Sequence, residues 1–148
     1  MTLTQKEKSL LKDLKSQEQL CVQKYAKYTS DACDAQLKNL FTQIGQEEQT
    51  HLQTLQQIDS GTVPQVGQGS KTLPQFQQSS CSAQDKQKDS FLCSDVLATE
   101  KHVSSNYNTC IFEFADTGVR NVLNHIQKEE QQHGEEVYSY MAANGMYG

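Results

Sequence analysis

Six side chains able to hold a metal recur in this sequence at a regular spacing. Glu18 stands alone, and thirty residues later comes Glu48-Gln49-Thr50-His51. Glu100 then stands alone, followed at the same interval by Glu130-Gln131-Gln132-His133. On a helix, residues three or four apart share a face, so each Glu-x-x-His presents a carboxylate and an imidazole side by side. Four carboxylates and two imidazoles are the oxygen and nitrogen donors that divalent iron or manganese accepts. Buried without cations, the carboxylates would each cost several kcal/mol and repel one another. Two divalent ions would set +4 against −4. The other reading of the same residues is a core in which these groups pair with one another, take up protons or hold water.

The helices that must position them are legible from apolar periodicity. The stripe on the second helix runs Leu37, Phe41, Ile44, Glu48, His51, Leu55, Ile58; on the fourth it runs Val119, Leu123, Ile126, Glu130, His133, Val137, Tyr140. The first and third carry Leu11, Leu14, Glu18, Cys21, Tyr25, Tyr28, Ala32 and Cys93, Val96, Glu100, Val103, Tyr107, Cys110, Phe114. Each series is apolar or aromatic except at its middle. If the turn in each half lies midway between paired glutamates, each is about 15 residues, or roughly 22 Å, from it. The six groups can then meet at one level of a bundle.

The pattern predicts helices over 5–31, 36–58, 84–115 and 118–143. Thr4-Gln5-Lys6-Glu7 reads as a capping box, Ser82-Ala83-Gln84-Asp85 as a weaker one, and Asn144-Gly145 as a stop. Residues 59–83 hold both prolines among Gly, Ser and Gln, and read as a linker. A loop of about 25 residues is long for a compact domain. An up-down-up-down bundle would not need it, whereas a crossover along the bundle would. A shift of 82 residues lays one half on the other without a gap. Tyr25 falls on Tyr107, Asp34 on Asp116, Ile44 on Ile126 and Glu47-Glu48-Gln49 on Glu129-Glu130-Gln131. Asp34 and Asp116 each read as a helix N-cap. The expectation is one all-α domain over 1–148, built from a hairpin at 4–58, a crossover linker at 59–83 and a duplicated hairpin at 84–148.

Tyr25 and Tyr107 lie two turns after Glu18 and Glu100. They read either as core packing or as hydrogen-bond donors to a carboxylate on the facing helix. Glu47, Glu129 and His102 fall off the stripes and read as solvated. Cys21 and Cys110 read as small core residues, and Cys81 as the most exposed thiol. The five cysteines show no C-x-x-C spacing, so no cysteine-held iron or zinc module is expected. Leu, Ile, Val and Phe make up only 30 of 148 residues, so the core is small and calls for support from metal or a partner subunit. A net charge of −5 leaves no basic face for nucleic acid. No apolar run is long enough to span a membrane, and no signal peptide is visible, so synthesis in the cytoplasm is expected.

The Glu, Glu-x-x-His, Glu, Glu-x-x-His order, with Tyr25 and Tyr107, resembles bacterioferritins and rubrerythrins. It implies a ferritin-like four-helix bundle with a two-metal carboxylate site, and an activity as a metal-dependent oxidoreductase acting on oxygen or peroxide. The likeness to rubrerythrins stops at Val103, where they carry a further Glu, and at the missing cysteine module. Residues 89–148 are similar to the coat F domain of spore coat proteins. The residues that carry this are Asp95-Val96-Leu97, Thr99-Glu100-Lys101, Tyr107, Ile126, Glu129 to His133, and Tyr140-Met141 through Asn144-Gly145-Met146-Tyr147. This resemblance implies a ferritin-like fold, a place in the spore coat, and other coat proteins or a second copy of the chain as partners.

Overall fold

The computed structural model describes residues 1–67 and 71–147; linker residues 68–70 and residue 148, at the end of the expected second hairpin, lie outside the described residues. The chain forms four helices, α1 (Gln5–Asp31), α2 (Ala35–Asp59), α3 (Ala83–Ile111) and α4 (Thr117–Ala143), and no strand occurs among the described residues. α1 packs most extensively on α2 and α3 on α4, with lighter packing of α1 on α3 and of α2 on α4.

Local chemistry accounts for the helix starts. The Thr4 hydroxyl accepts from the Glu7 amide at 3.1 Å, and the Glu7 carboxylate accepts from the Thr4 amide at 2.8 Å. Asp34, Ser82 and Asp116 accept from amides in the first turns of α2, α3 and α4. At the end of α4, Gly145 adopts φ 64°, a conformation that favours glycine and closes the helix.

α3 departs from expectation, ending at Ile111 rather than 115, and α4 begins one residue early. The reason is tertiary. The Arg120 guanidinium donates to the carbonyls of Phe114 and Ala115 at 2.8 Å, and the Ala115 amide donates to Glu7 of α1 at 3.0 Å. These partners hold 112–116 as a turn that buries Phe114. The first hairpin's turn is held alike: the Cys33 and Asp34 amides donate to the buried Asp89 of α3 at 2.8 and 3.0 Å. Glu7 and Asp89 are 82 residues apart, as are Cys33 and Ala115. Each hairpin thus fastens the other's turn.

Two apolar clusters fill the interior. One joins Leu11, Leu14, Leu55, Ile58, Phe114, Val119 and Leu123. The other joins Ala32, Leu37, Phe41, Leu92, Cys93, Val137 and Tyr140. The start of α1 therefore shares an end with the finish of α2, the finish of α3 and the start of α4. α2 and α3 run the same way, and the linker returns the chain along the bundle, with Val63 and Val66 against the first cluster and Phe76 against the second. Cys21, Cys93 and Cys110 are buried, whereas Cys33 and Cys81 are half-buried; all five thiols are free. The polar level carrying the six singled-out residues lies between the clusters.

Candidate metal centre

α1 contributes Glu18, α2 Glu48 and His51, α3 Glu100, and α4 Glu130 and His133. All six are buried, with no more than 3% of any one exposed. Their donor atoms converge as two overlapping quartets, Glu18, Glu48, His51 and Glu130, and Glu48, Glu100, Glu130 and His133. Within each quartet one donor atom from each residue lies within 4.8 Å of the other three. Glu48 and Glu130 belong to both, while Glu18 with His51 and Glu100 with His133 mark the two ends. The imidazoles stack across the centre with ring centroids 5.9 Å apart.

Each imidazole turns Nδ1 inward and Nε2 outward. His51 Nδ1 lies 2.9 Å from Glu130, 3.7 Å from Glu48 and 3.8 Å from Glu18. His133 Nδ1 lies 2.9 Å from Glu48 and 3.4 Å from Glu100. His51 Nε2 is held by Glu129 at 2.9 Å, and His133 Nε2 by Glu47 at 2.5 Å. A carboxylate only accepts, so each Nε2 carries a proton, and Nδ1 is the ring atom that faces the central carboxylates. Glu47 and Glu129, expected to be solvated, are only about a quarter exposed (27% and 28%) and orient the histidines. The signal for them was the Glu-Glu doublet recurring at 47–48 and 129–130. A residue beside a stripe residue points toward the stripe's edge, where the neighbouring antiparallel helix passes. Behind them, Glu47 pairs with Lys71 of the linker, and Glu129 meets His125 at 3.2 Å. His102 is exposed, as expected.

The tyrosines cross the bundle. Tyr25 on α1 donates to Glu100 on α3, and Tyr107 on α3 donates to Glu18 on α1, both at 2.6 Å. Each end carboxylate thus has one oxygen occupied by a phenol and one remaining. Burial, the adjacent carboxylates and these bonds push both phenols well above their ordinary pKa, so they stay protonated donors.

The centre carries surplus negative charge. Burial, with neighbouring carboxylates, raises Glu18 and Glu130 well above the usual carboxylate range. Burial would raise Glu48 too, but His133, together with Glu18 and His51, outweighs it and holds that carboxyl low. His133 is raised well above the ordinary imidazole value despite burial, because Glu100, Glu47 and Glu48 surround it. Protons on carboxyls and imidazole are how such a cluster meets its own repulsion without cations.

Hydrogen bonding does not satisfy it. Among the described residues, ten buried side-chain polar atoms lack a partner, and eight belong to these six residues: one oxygen each of Glu18 and Glu100, both oxygens of Glu48 and Glu130, and both Nδ1 atoms. The inward contacts are short, 2.9 Å from His51 Nδ1 to Glu130 and from His133 Nδ1 to Glu48, yet both Nδ1 atoms remain without a hydrogen-bond partner. Buried groups left unpaired cost roughly 1–3 kcal/mol each, so eight at one place need a common explanation. Oxygen and imidazole donors in two quartets with a shared pair of carboxylates fit two divalent cations in number, type and charge.

The Coat F domain family model matches residues 88–148, which take in Glu100, Glu130 and His133 with most of α3 and all of α4. No curated protein and no solved structure matches the chain. The second half of the chain is thus similar to the Coat F domain, and the half that supplies Glu18, Glu48 and His51 lies outside the matched residues.

Proposed function

We propose that this chain is a spore-coat protein of the Coat F type whose ferritin-like bundle, a duplicated hairpin, holds two iron or manganese ions. The observation that carries the metal is the set of eight unpaired donor atoms in two overlapping quartets. Glu18 and His51 would hold one ion, Glu100 and His133 the other, and Glu48 and Glu130 would be shared. The coat assignment rests on the match over 88–148, and its partners would be other coat proteins or a second copy of the chain. Bound iron or manganese would supply a redox-active Lewis acid, and would also bind the four helices together at their weakest level.

A second reading is a metal-dependent oxidoreductase acting on oxygen or peroxide. It is favoured by Tyr25 and Tyr107, which leave one oxygen of each end carboxylate unpaired, and by a groove between α3 and α4 whose lining includes Glu100 and Glu130. In that case the same six residues hold the metals, and the tyrosines hold Glu100 and Glu18 in place.

Metal analysis of protein purified without chelator tests the common part of both readings. About two ions per chain are expected, and Glu48→Ala with Glu130→Ala should lose both, since these residues serve both quartets. Full occupancy in the double variant would remove the site. Peroxide consumption by the loaded protein would favour the oxidoreductase, and recovery of the chain from purified spore coats would place it in the coat.

A further inference from the structure

The two hairpins match in their donor residues but differ in what lies over them. Four residues after each glutamate, on the same helix face, stand Val22 and Leu52 in the first hairpin. The corresponding residues of the second are Ser104 and Gly134. Val22 and Leu52 are half-buried aliphatic side chains, whereas Ser104 and Gly134 line a groove. Between α3 and α4 lies a groove of about 520 Å³ whose wall includes Glu100, Glu130, Ser104, Gln131 and Gly134, with Tyr147 at its rim. The groove between α1 and α2, about 390 Å³, is walled by Val22 and Tyr25 and touches none of the six donor residues. A third groove, between α2 and α4, reaches His51, whose outward Nε2 is already held by Glu129, so it leads to the back of the ring.

We infer that the α3–α4 groove is the entrance by which a divalent cation reaches the centre, and that Gly134 and Ser104 keep it open. The inference rests on the two-metal reading. An arriving cation exchanges water for oxygen donors stepwise, and the groove offers them in order: Gln131 and Ser104 on the wall, then the carboxylates of Glu100 and Glu130. Lys101, also on the wall, opposes a cation and so sets the rate of entry without touching the final site.

Metal-free protein mixed rapidly with Co(II) and followed by visible absorption reads entry, and an equilibrium titration reads stoichiometry. A Cβ at position 134 would meet nothing nearer than Leu97 Cδ2 at 3.9 Å, so Gly134→Ala fits and should load at the wild-type rate. Gly134→Leu fills the groove and should load at least about tenfold more slowly to the same stoichiometry. Lys101→Glu should load several-fold faster at low ionic strength and lose that advantage in high salt, while the same charge change at the distant, exposed Lys12 should not. Because Lys101→Glu leaves the packing intact, it decides the matter should Gly134→Leu disturb the centre. Full Co(II) uptake with both variants at the wild-type rate overturns the entrance alone. Wild-type protein that takes up no Co(II) at equilibrium removes the two-metal reading and the entrance with it.

Discussion

The six central residues are unstable neighbours without cations, and this has a measurable sign. Replacing Glu130 by Gln keeps the side chain's shape and puts a permanently neutral group where the metal-free protein must either protonate a carboxyl far above its ordinary range or bear its charge. The metal-free variant should melt a few degrees above metal-free wild type, because buried repulsion and desolvation are relieved. With metal the order should reverse, since the variant has lost a shared ligand. Differential scanning calorimetry with and without chelator reads both. The tyrosines predict the opposite sign. Tyr25→Phe strips Glu100 of its 2.6 Å donor and leaves a buried carboxylate oxygen unpaired, which should cost roughly 1–3 kcal/mol in urea unfolding. Tyr107→Phe should do the same through Glu18.

Among the helices, the ties between hairpins matter more than helix propensity. Glu7 closes the α1 cap with one oxygen and takes the Ala115 amide with the other, so one carboxylate serves two elements. The backbone amides of Thr4 and Ala115 and the Thr4 hydroxyl, working against burial and Asp116, hold its pKa below the ordinary 4.5. A carboxyl lowered on folding adds stability that is present above the unfolded value and is lost as pH falls through the folded one. Glu7→Gln should therefore destabilise by about 1–2 kcal/mol at pH 7. That difference should shrink as the pH drops below 4.5 and vanish once wild-type Glu7 is itself protonated; paired melting curves across that range check it. Asp89, which takes the Cys33 and Asp34 amides, makes the corresponding tie for the other turn.

Across the whole molecule, the two apolar clusters are separated by a polar level common to all four helices, so the metal-free bundle is weakest at mid-height. Ions that bind only the folded state stabilise it by RT ln(1 + [L]/Kd), about 2.7 kcal/mol at a hundredfold excess over Kd. For a chain of this size that is a rise in Tm of at least about 5 °C at pH 7. The rise should weaken below about pH 5, where imidazoles and then carboxyls take up competing protons. Melting curves with Mn(II), and with Fe(II) under anaerobic conditions, at pH 7 and pH 5 test this. No shift at pH 7 with either ion would leave the six residues as a proton-balanced core.

Periodicity alone determined the four helices to within a few residues, the faces they bury and the level at which Glu18, Glu48, His51, Glu100, Glu130 and His133 lie. A helix repeats every 3.6 residues, and a charged residue on an apolar stripe is visible without any partner. The long 59–83 segment likewise indicated a chain that travels between hairpins. What a stripe cannot encode is which atom it meets on another helix. In the sequence Tyr25 and Tyr107 read equally as packing or as hydrogen-bond donors, because their acceptors lie 75 and 89 residues away. Glu47 and Glu129 sit at the edge of their stripes, where solvation and contact with the next helix look alike until that helix is placed. The early end of α3 was hidden for the same reason, since the Ala115 amide finds its acceptor, Glu7, 108 residues away on α1. The open side of the centre was also a tertiary decision. Gly134 and Leu52 are single letters at matching positions, and only the packing of α3 on α4 turns the smaller one into a groove.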